Sequence, residues 1–278
     1  MQTFLPYPNF ERSAAVLDSP RLGKQRVEVL QILRAITFPS YGWTNHPATL
    51  MWRGRVPALV SYGLAMVDAW TARGAADATR AQITEFAPEA AFMASTGLPM
   101  PSWLGRQELH RSHQSNLIRK DPEFYGPKFP GVPDNLEYVW PGSDALPPEP
   151  QVAGSPLLIF RPHSDQEFAN WMERREVSVG QTSPLGRQGP KWRAQLELFL
   201  AVPNGSPVGI LAPGGERILT GEIIDGASAS VVGRSHPEDV YRRAVQLHGE
   251  LTRSEFPNPA LLQDPRTLFE TIGPALPS

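Results

Sequence analysis

Glu28 sits in "SPRLGKQRVEVLQILR" (residues 19–34), four residues after Lys24 and three before Gln31. On a helix those spacings put an acid, an amine and an amide on one side, with Arg21 one turn before Lys24. Taken alone, such a face is an ordinary solvated surface. Its Lys24–Glu28 pair is worth a few tenths of a kcal/mol. Local charge adds to it. Up to residue 60 the chain carries seven basic side chains (Arg12, Arg21, Lys24, Arg26, Arg34, Arg53 and Arg55) against three acidic ones (Glu11, Asp18 and Glu28), a surplus of +4. Tyr41, Trp43 and Trp52 lie in the same stretch. A cationic surface with aromatic planes suits a nucleic-acid backbone and unstacked bases.

Other chemistry is excluded or weakly signalled. The chain has no cysteine, so it has no disulfide framework, thiolate nucleophile or cysteine-bound metal. His110 and His113 are spaced i,i+3 on a helix, but two ligands without a nearby carboxylate pair make a poor metal site, and no metal or other cofactor is expected. "GQTSPLGRQGPKWRAQ" (residues 180–195), with Arg187, Lys191, Trp192 and Arg193, reads as a solvated loop that could also track a nucleic-acid backbone. "LAPGGERILTGE" reads as a hairpin turn and lacks the Lys-Ser/Thr ending of a phosphate loop.

The elements that must position these residues fall into two halves. The composition is that of a globular protein, with 41% hydrophobic residues over 278 positions and a net charge of −2, so any nucleic-acid argument rests on local charge. "PGSDALPPEPQVAGSP" (residues 141–156) reads as a linker between domains at 1–140 and 157–278. Before it, periodicity is helical. Asn9 caps a short helix, and Ser19-Pro20 starts a second one in which Leu22, Val29, Leu33 and Ile36 form the core stripe. "VPALVSYGLAMVDAWTARG" is a third helix stopping at Gly74, and "GRQELHRSHQSNLIRKDP" a later one ended by Pro122. Asn45-His46-Pro47 reads as a helix start, with Asn as cap and Pro opening it. Trp43 and Trp52 read as core. After the linker, "PLLIF", "VSVG", "AQLELFLAV", "VGILA" and "RILTGEII" read as strands, and "DQEFANWMERR" and "PEDVYRRAVQLHGEL" as helices. The expected fold class is α+β: an all-α domain, then a smaller α+β domain with a mainly antiparallel sheet. The first residues lack the basic and apolar regions of a signal peptide, and no apolar run is long enough for a bilayer, so a cytoplasmic protein with no membrane partner is expected.

Three stretches in order resemble the pyrimidine-dimer DNA glycosylase family, of the phage endonuclease V type. "RLGKQRVEVL" is similar to the family helix in which a Leu precedes the catalytic Glu by six residues, here Leu22 and Glu28. "YGWTNHPATLMWRG" with the following helix is similar to its Asn-His-Pro loop and central helix. "HRSHQSNLIRKDPEFYGPKFP" is similar to its last helix and aromatic tail. The resemblance covers roughly residues 1–140. It implies an enzyme, a DNA N-glycosylase that flips a damaged or modified nucleotide out of double-stranded DNA. An amine attacks C1′, displaces the base and forms an imine, and β-elimination then gives AP lyase activity. Only an unprotonated amine attacks, and an α-amino group has a reference pKa of roughly 7.7–8.0. The resemblance makes Glu28 the acid–base residue and the N-terminal amine the nucleophile. Gln2 is bulky, so Met1 should be retained and its amine used. The alternatives are Thr3 exposed by trimming, or Glu28 activating water with no amine. Arg21 falls near the lesion, Lys24 and Arg26 on phosphates and His46 near the flipped nucleotide. Arg119, Lys120 and Tyr125 fall on DNA, with Phe124 and Tyr125 as candidate wedges. A non-catalytic nucleic-acid binder on the same helical fold is the alternative function.

Overall fold

The computed structural model describes residues 1–38, 40–92, 97–143, 154–180, 190–225, 228–231 and 239–274. The chain divides into two compact units, Met1–Pro150 and Gln151–Ser278, and its secondary structure is mixed α/β. Among the described residues, no helix is long and apolar enough to cross a membrane.

The first unit is built on helices α1 (Phe10–Val16), α2 (Ser19–Thr37), α3 (Pro47–Leu50), α4 (Val56–Thr71), α5 (Arg80–Thr84), α6 (Gln107–Lys120) and α7 (Pro122–Tyr125). Asn9 caps α1, accepting from the Arg12 N–H. Asp18 caps α2 through the Arg21 N–H at 2.8 Å, one residue earlier than the Ser19-Pro20 pair suggests. Ser19 and Pro20 instead fill the first two helical positions, where a missing proline N–H is harmless. α4 is apolar nearly all round and buries Leu59, Val60, Tyr62, Leu64 and Met66, as a central helix must. Leu22, Val29 and Leu33 of α2 are fully buried and Ile36 half-buried. Burying each such side chain contributes about 1.5–3 kcal/mol. α2 and α4 approach closely at Gly63, where a Cβ would lie 2.7 Å from Val29 Cγ1.

The second unit carries strands β1 (Ser155–Phe160), β2 (Glu176–Val179), β3 (Pro207–Leu211), β4 (Arg217–Ile223), β5 (Ser228–Val231), β6 (Asp239–Thr252) and β7 (Leu268–Gly273), with helices α8 (Asp165–Arg174) and α9 (Pro190–Ala201). The strand order is β2-β6-β4-β3-β1-β7, with β5 also paired to β6. β1 and β3 run parallel and the other pairs antiparallel. Leu158 and Phe160 enter one apolar cluster and Leu157 and Ile159 another. Both faces of β1 are therefore covered, which explains its unbroken apolar run. Gly214 and Gly215, at φ +85° and +78°, turn the β3–β4 hairpin.

Two segments differ from their sequence reading. Residues 194–202, read as a strand, belong mostly to α9. Gln195, Leu196, Glu197 and Leu198 alternate in polarity, yet all are strong helix formers and none is β-branched. Residues 237–251, read as a helix, hold β6. There Val240, Ala244, Leu247 and Leu251 keep a helical spacing, but pairing with β2, β4 and β5 overrides it. Of the predicted linker, 144–153 lie outside the described residues, and Ser155 and Pro156 already belong to β1. In the basic loop, 181–189, including Arg187, lie outside the described residues, and the remainder from Pro190 opens α9.

Candidate active site

Residues 1–6 belong to no helix or strand. Their buried main-chain groups must therefore find side-chain partners. The partners come from three helices. From α2, Gln25 Oε1 accepts from the Phe4 N–H at 2.9 Å, and Gln25 Nε2 donates to the Gln2 carbonyl at 3.0 Å. Because Phe4 offers an N–H, the amide orientation is fixed by the network. From α4, the Tyr62 hydroxyl lies 2.9 Å from the Phe4 carbonyl and 2.7 Å from Gln25 Oε1. From α6, His113 Nδ1 accepts from the Leu5 N–H at 3.0 Å, and Gln114 donates to the Pro6 carbonyl at 2.7 Å. Trp52, close after α3, donates from Nε1 to Thr3 Oγ1 at 3.0 Å.

His110 and His113 thus hold main chain. His110 Nε2 accepts from the Gly105 N–H at 3.1 Å, so its Nδ1 carries the proton donated to the Leu5 carbonyl at 2.7 Å. His113 is the opposite tautomer. Burial holds His113 down at about 3, with His110 pushing the same way and the Thr3 carbonyl opposing. Burial also lowers His110, against the Leu5 carbonyl and Glu108.

This clamped segment delivers the Met1 amine to Glu28. The amine nitrogen lies 3.8 Å from Glu28 Oε1, and Lys24 Nζ lies 3.6 Å from the same oxygen. Gln25 Nε2 donates to Glu28 Oε2 at 2.9 Å. Only 8% of the Glu28 side chain is accessible, whereas Lys24 is 73% accessible. Exposure weakens the Lys24 pair, so the buried contacts fix the carboxylate. Met1 is half-buried as a residue, yet only 2% of its side chain is accessible. Its exposure therefore falls on its main-chain atoms. Around Glu28 the face read as solvated is covered by the N-terminal residues, while Lys24 stays open. A carboxylate beside an amine can take or give the amine's protons and can steady a cation forming next to it.

His46, not Asn45, caps α3, accepting at Nδ1 from the Ala48 N–H at 3.1 Å. Burial lowers its pKa first, then the Met1 amine, while Glu28 opposes. Tyr138 is pushed up to about 12 by burial, with Arg119 and Arg21 opposing and Glu28 reinforcing. Burial first, then Glu28, raises Tyr62 well above the usual phenol value. His46, Tyr138 and Tyr62 therefore share the electrostatic neighbourhood of Glu28.

The remaining candidates scatter. Arg21 pairs with Asp18, lies 3.8 Å from Asp121 and sits over the Tyr125 ring. Two residues along the helix from Lys24, Arg26 points to another face. It pairs there with Asp77 and lies over Trp70, with 11% of its side chain accessible. That burial is at odds with the phosphate contact expected of Arg26. Arg119 donates to Asn116, and Lys120 is exposed in the last turn of α6. Tyr125 is fully buried, accepts from the Asp18 N–H at 3.0 Å and stacks on Phe129. It therefore cannot act as a wedge, and of that pair Phe124 is the ring that reaches solvent. Trp52 is core, but Trp43, read as core, is 63% exposed. Sequence reasoning missed Gln25, Tyr62, Tyr138 and Trp140. Only the position of Gln25, one turn before Glu28, could have marked it.

Residues 1–82 match the family model described as pyrimidine dimer DNA glycosylase. That stretch contains Met1, Gln25, Glu28, His46 and Tyr62. No curated protein and no solved structure gives a match.

Proposed function

We propose that the chain is a DNA glycosylase with AP lyase activity, carried by an all-α unit ahead of an α+β one, that excises a damaged or modified base from double-stranded DNA. The observation that carries this reading is the Met1 amine 3.8 Å from the buried Glu28 carboxylate. The family match over residues 1–82, to glycosylases named for pyrimidine dimers, supports DNA as substrate.

The target nucleotide must leave the stack, because C1′ is inaccessible inside a duplex. The Met1 nitrogen, unprotonated, uses its lone pair to attack C1′. The C1′–N bond breaks, and its electron pair leaves with the base, which takes up a proton. Glu28 accepts the proton released by the attacking amine and stabilises the positive charge at C1′. Glu28 returns that proton to the ring oxygen as the C1′–O4′ bond breaks, and the nitrogen lone pair closes a protonated imine between Met1 and the opened sugar. Removal of a C2′ proton then expels the 3′ phosphate and cuts the strand. Lys24, exposed beside Glu28, and Arg119 and Lys120, exposed in the last turn of α6, are among the cations available for phosphates.

The test is borohydride trapping on abasic and lesion-bearing duplexes. Reduction should fix a covalent complex through Met1, located by peptide mass spectrometry. Glu28→Gln, which keeps the shape and the Gln25 contact, should lose base release by a factor of about 100 or more while duplex affinity holds. Salt-dependent binding without product or adduct would leave only a nucleic-acid binder.

A further inference from the structure

Trp43 lies in the turn between α2 and α3 with φ +71°, a left-handed conformation that a bulky L side chain rarely adopts. The neighbouring Gly42, which could adopt it freely, does not carry it. Trp43 is 63% exposed, so burial does not explain the residue either. Neither the backbone nor the core gains from a tryptophan at this position.

What the ring does have is an ordered set of neighbours. It meets His46 edge-on at 5.6 Å, and His46 meets Trp140 at 6.0 Å and 85°. Trp140 packs on Tyr138 at 5.4 Å, and Tyr138 on His113 at 5.5 Å. This line of rings runs from solvent to the histidine that anchors the N-terminal segment. Its members His46 and Tyr138 both feel the charge of Glu28. Arg53 donates to the Thr44 carbonyl at 3.1 Å, which brings a cation against the same turn.

Resting on the glycosylase reading, we infer that Trp43 is the platform on which an unstacked nucleobase is held at the mouth of the amine–carboxylate site. An aromatic face next to a cation takes any base by stacking and its phosphate by charge. Trp43 is exposed while His46, Trp140 and Tyr138 are half-buried and His113 buried, which makes it the outermost ring of the series. Trp43 would then contribute to opening the duplex, leaving the chemistry at C1′ to Met1 and Glu28.

The probe is a duplex with 2-aminopurine opposite a tetrahydrofuran abasic analogue. Its emission rises when the base unstacks and falls when the base stacks on tryptophan. Wild type should quench the unstacked probe. Trp43→Ala should bind it about 10-fold more weakly with bright emission, and Trp43→Phe should restore most of both. Affinity for undamaged duplex should hold within about twofold, and so should imine trapping at a preformed abasic site once that duplex is saturated with enzyme. If Trp43→Ala matches wild type in affinity and emission while wild type still traps the imine, the platform is wrong and the glycosylase reading stands. If no imine forms yet quenching depends on Trp43, stacking stands and the catalytic reading falls. If Trp43→Ala instead dissociates an oligomer in sedimentation with DNA binding unchanged, the ring serves contacts between copies, and the inference is overturned.

Discussion

Gln25 and Glu28, one helical turn apart on α2, share a buried hydrogen bond of 2.9 Å. The same amide nitrogen also holds the Gln2 carbonyl, and its oxygen the Phe4 N–H. One side chain therefore ties the N-terminal segment to the carboxylate. Gln25→Leu keeps the volume but leaves those groups without partners. Unsatisfied buried groups cost about 1–3 kcal/mol each, so urea unfolding should show a loss of about 2–4 kcal/mol. Imine trapping should fail even under conditions where the variant is folded. A variant as stable as wild type would show that the amide does not bear this load.

Extending the chain by two small residues ahead of Met1 removes the proposed nucleophile from Glu28 without touching the clamp. Thermal stability and duplex affinity should be nearly unchanged, and borohydride adducts should vanish. Undiminished trapping would assign the imine to another amine.

Gly63→Ala forces α2 away from α4, because the new Cβ would lie 2.7 Å from Val29 Cγ1. Overpacking of this kind costs about 1–3 kcal/mol. Glu28 precedes Val29 on α2, so base release should fall further than stability does at temperatures where the variant stays folded. Parallel loss of both, tracking only the folded fraction, would remove the link to Glu28.

His113 is held at about 3 in the folded chain and returns to an ordinary value near 6.5 when unfolded. Between those values the unfolded chain binds more protons. Stability should therefore fall as pH drops from about 6.5 toward about 3, by up to about 1.4 kcal/mol per unit from this ring. His110, also lowered by burial, steepens the loss. Urea midpoints over that range should show the slope, and imidazole NMR shifts should keep His113 neutral at pH 5. A protonated His113 in the folded chain at that pH would contradict the clamp.

Much of the architecture was readable from local signals. Asn9, Pro20, Gly74 and Pro122 mark the helices of the first unit, and Leu22, Val29 and Leu33 mark its core stripe. Glu28 was singled out correctly as lying near Lys24, but its burial was not legible. What covers it is "MQTFL", a stretch with no helical or strand pairing of its own, whose anchor His113 lies 108 residues from Leu5. For the same reason His110 and His113 read as weak metal ligands. Trp43 reads as core from its type alone, and no sequence period reports a positive φ. In the second unit, Val240 to Leu251 and Gln195 to Leu198 carry the wrong period for their elements. Pairing partners on β2, β4 and β5 decide the first, and residue propensity the second.

The threading of residues 1–6 also bears on the order of synthesis. The amino end leaves the ribosome first, yet Leu5 and Pro6 must wait for His110, His113 and Gln114, more than a hundred residues behind them. A nascent chain can thus hold Gln2, Thr3 and Phe4 through Gln25, Trp52 and Tyr62, but completes the clamp at Leu5 and Pro6 only once α6 has emerged. On this account the amine–carboxylate pair is secured in full only near the end of the helical unit's production, and a truncated product lacking α6 would hold its reactive terminus more loosely.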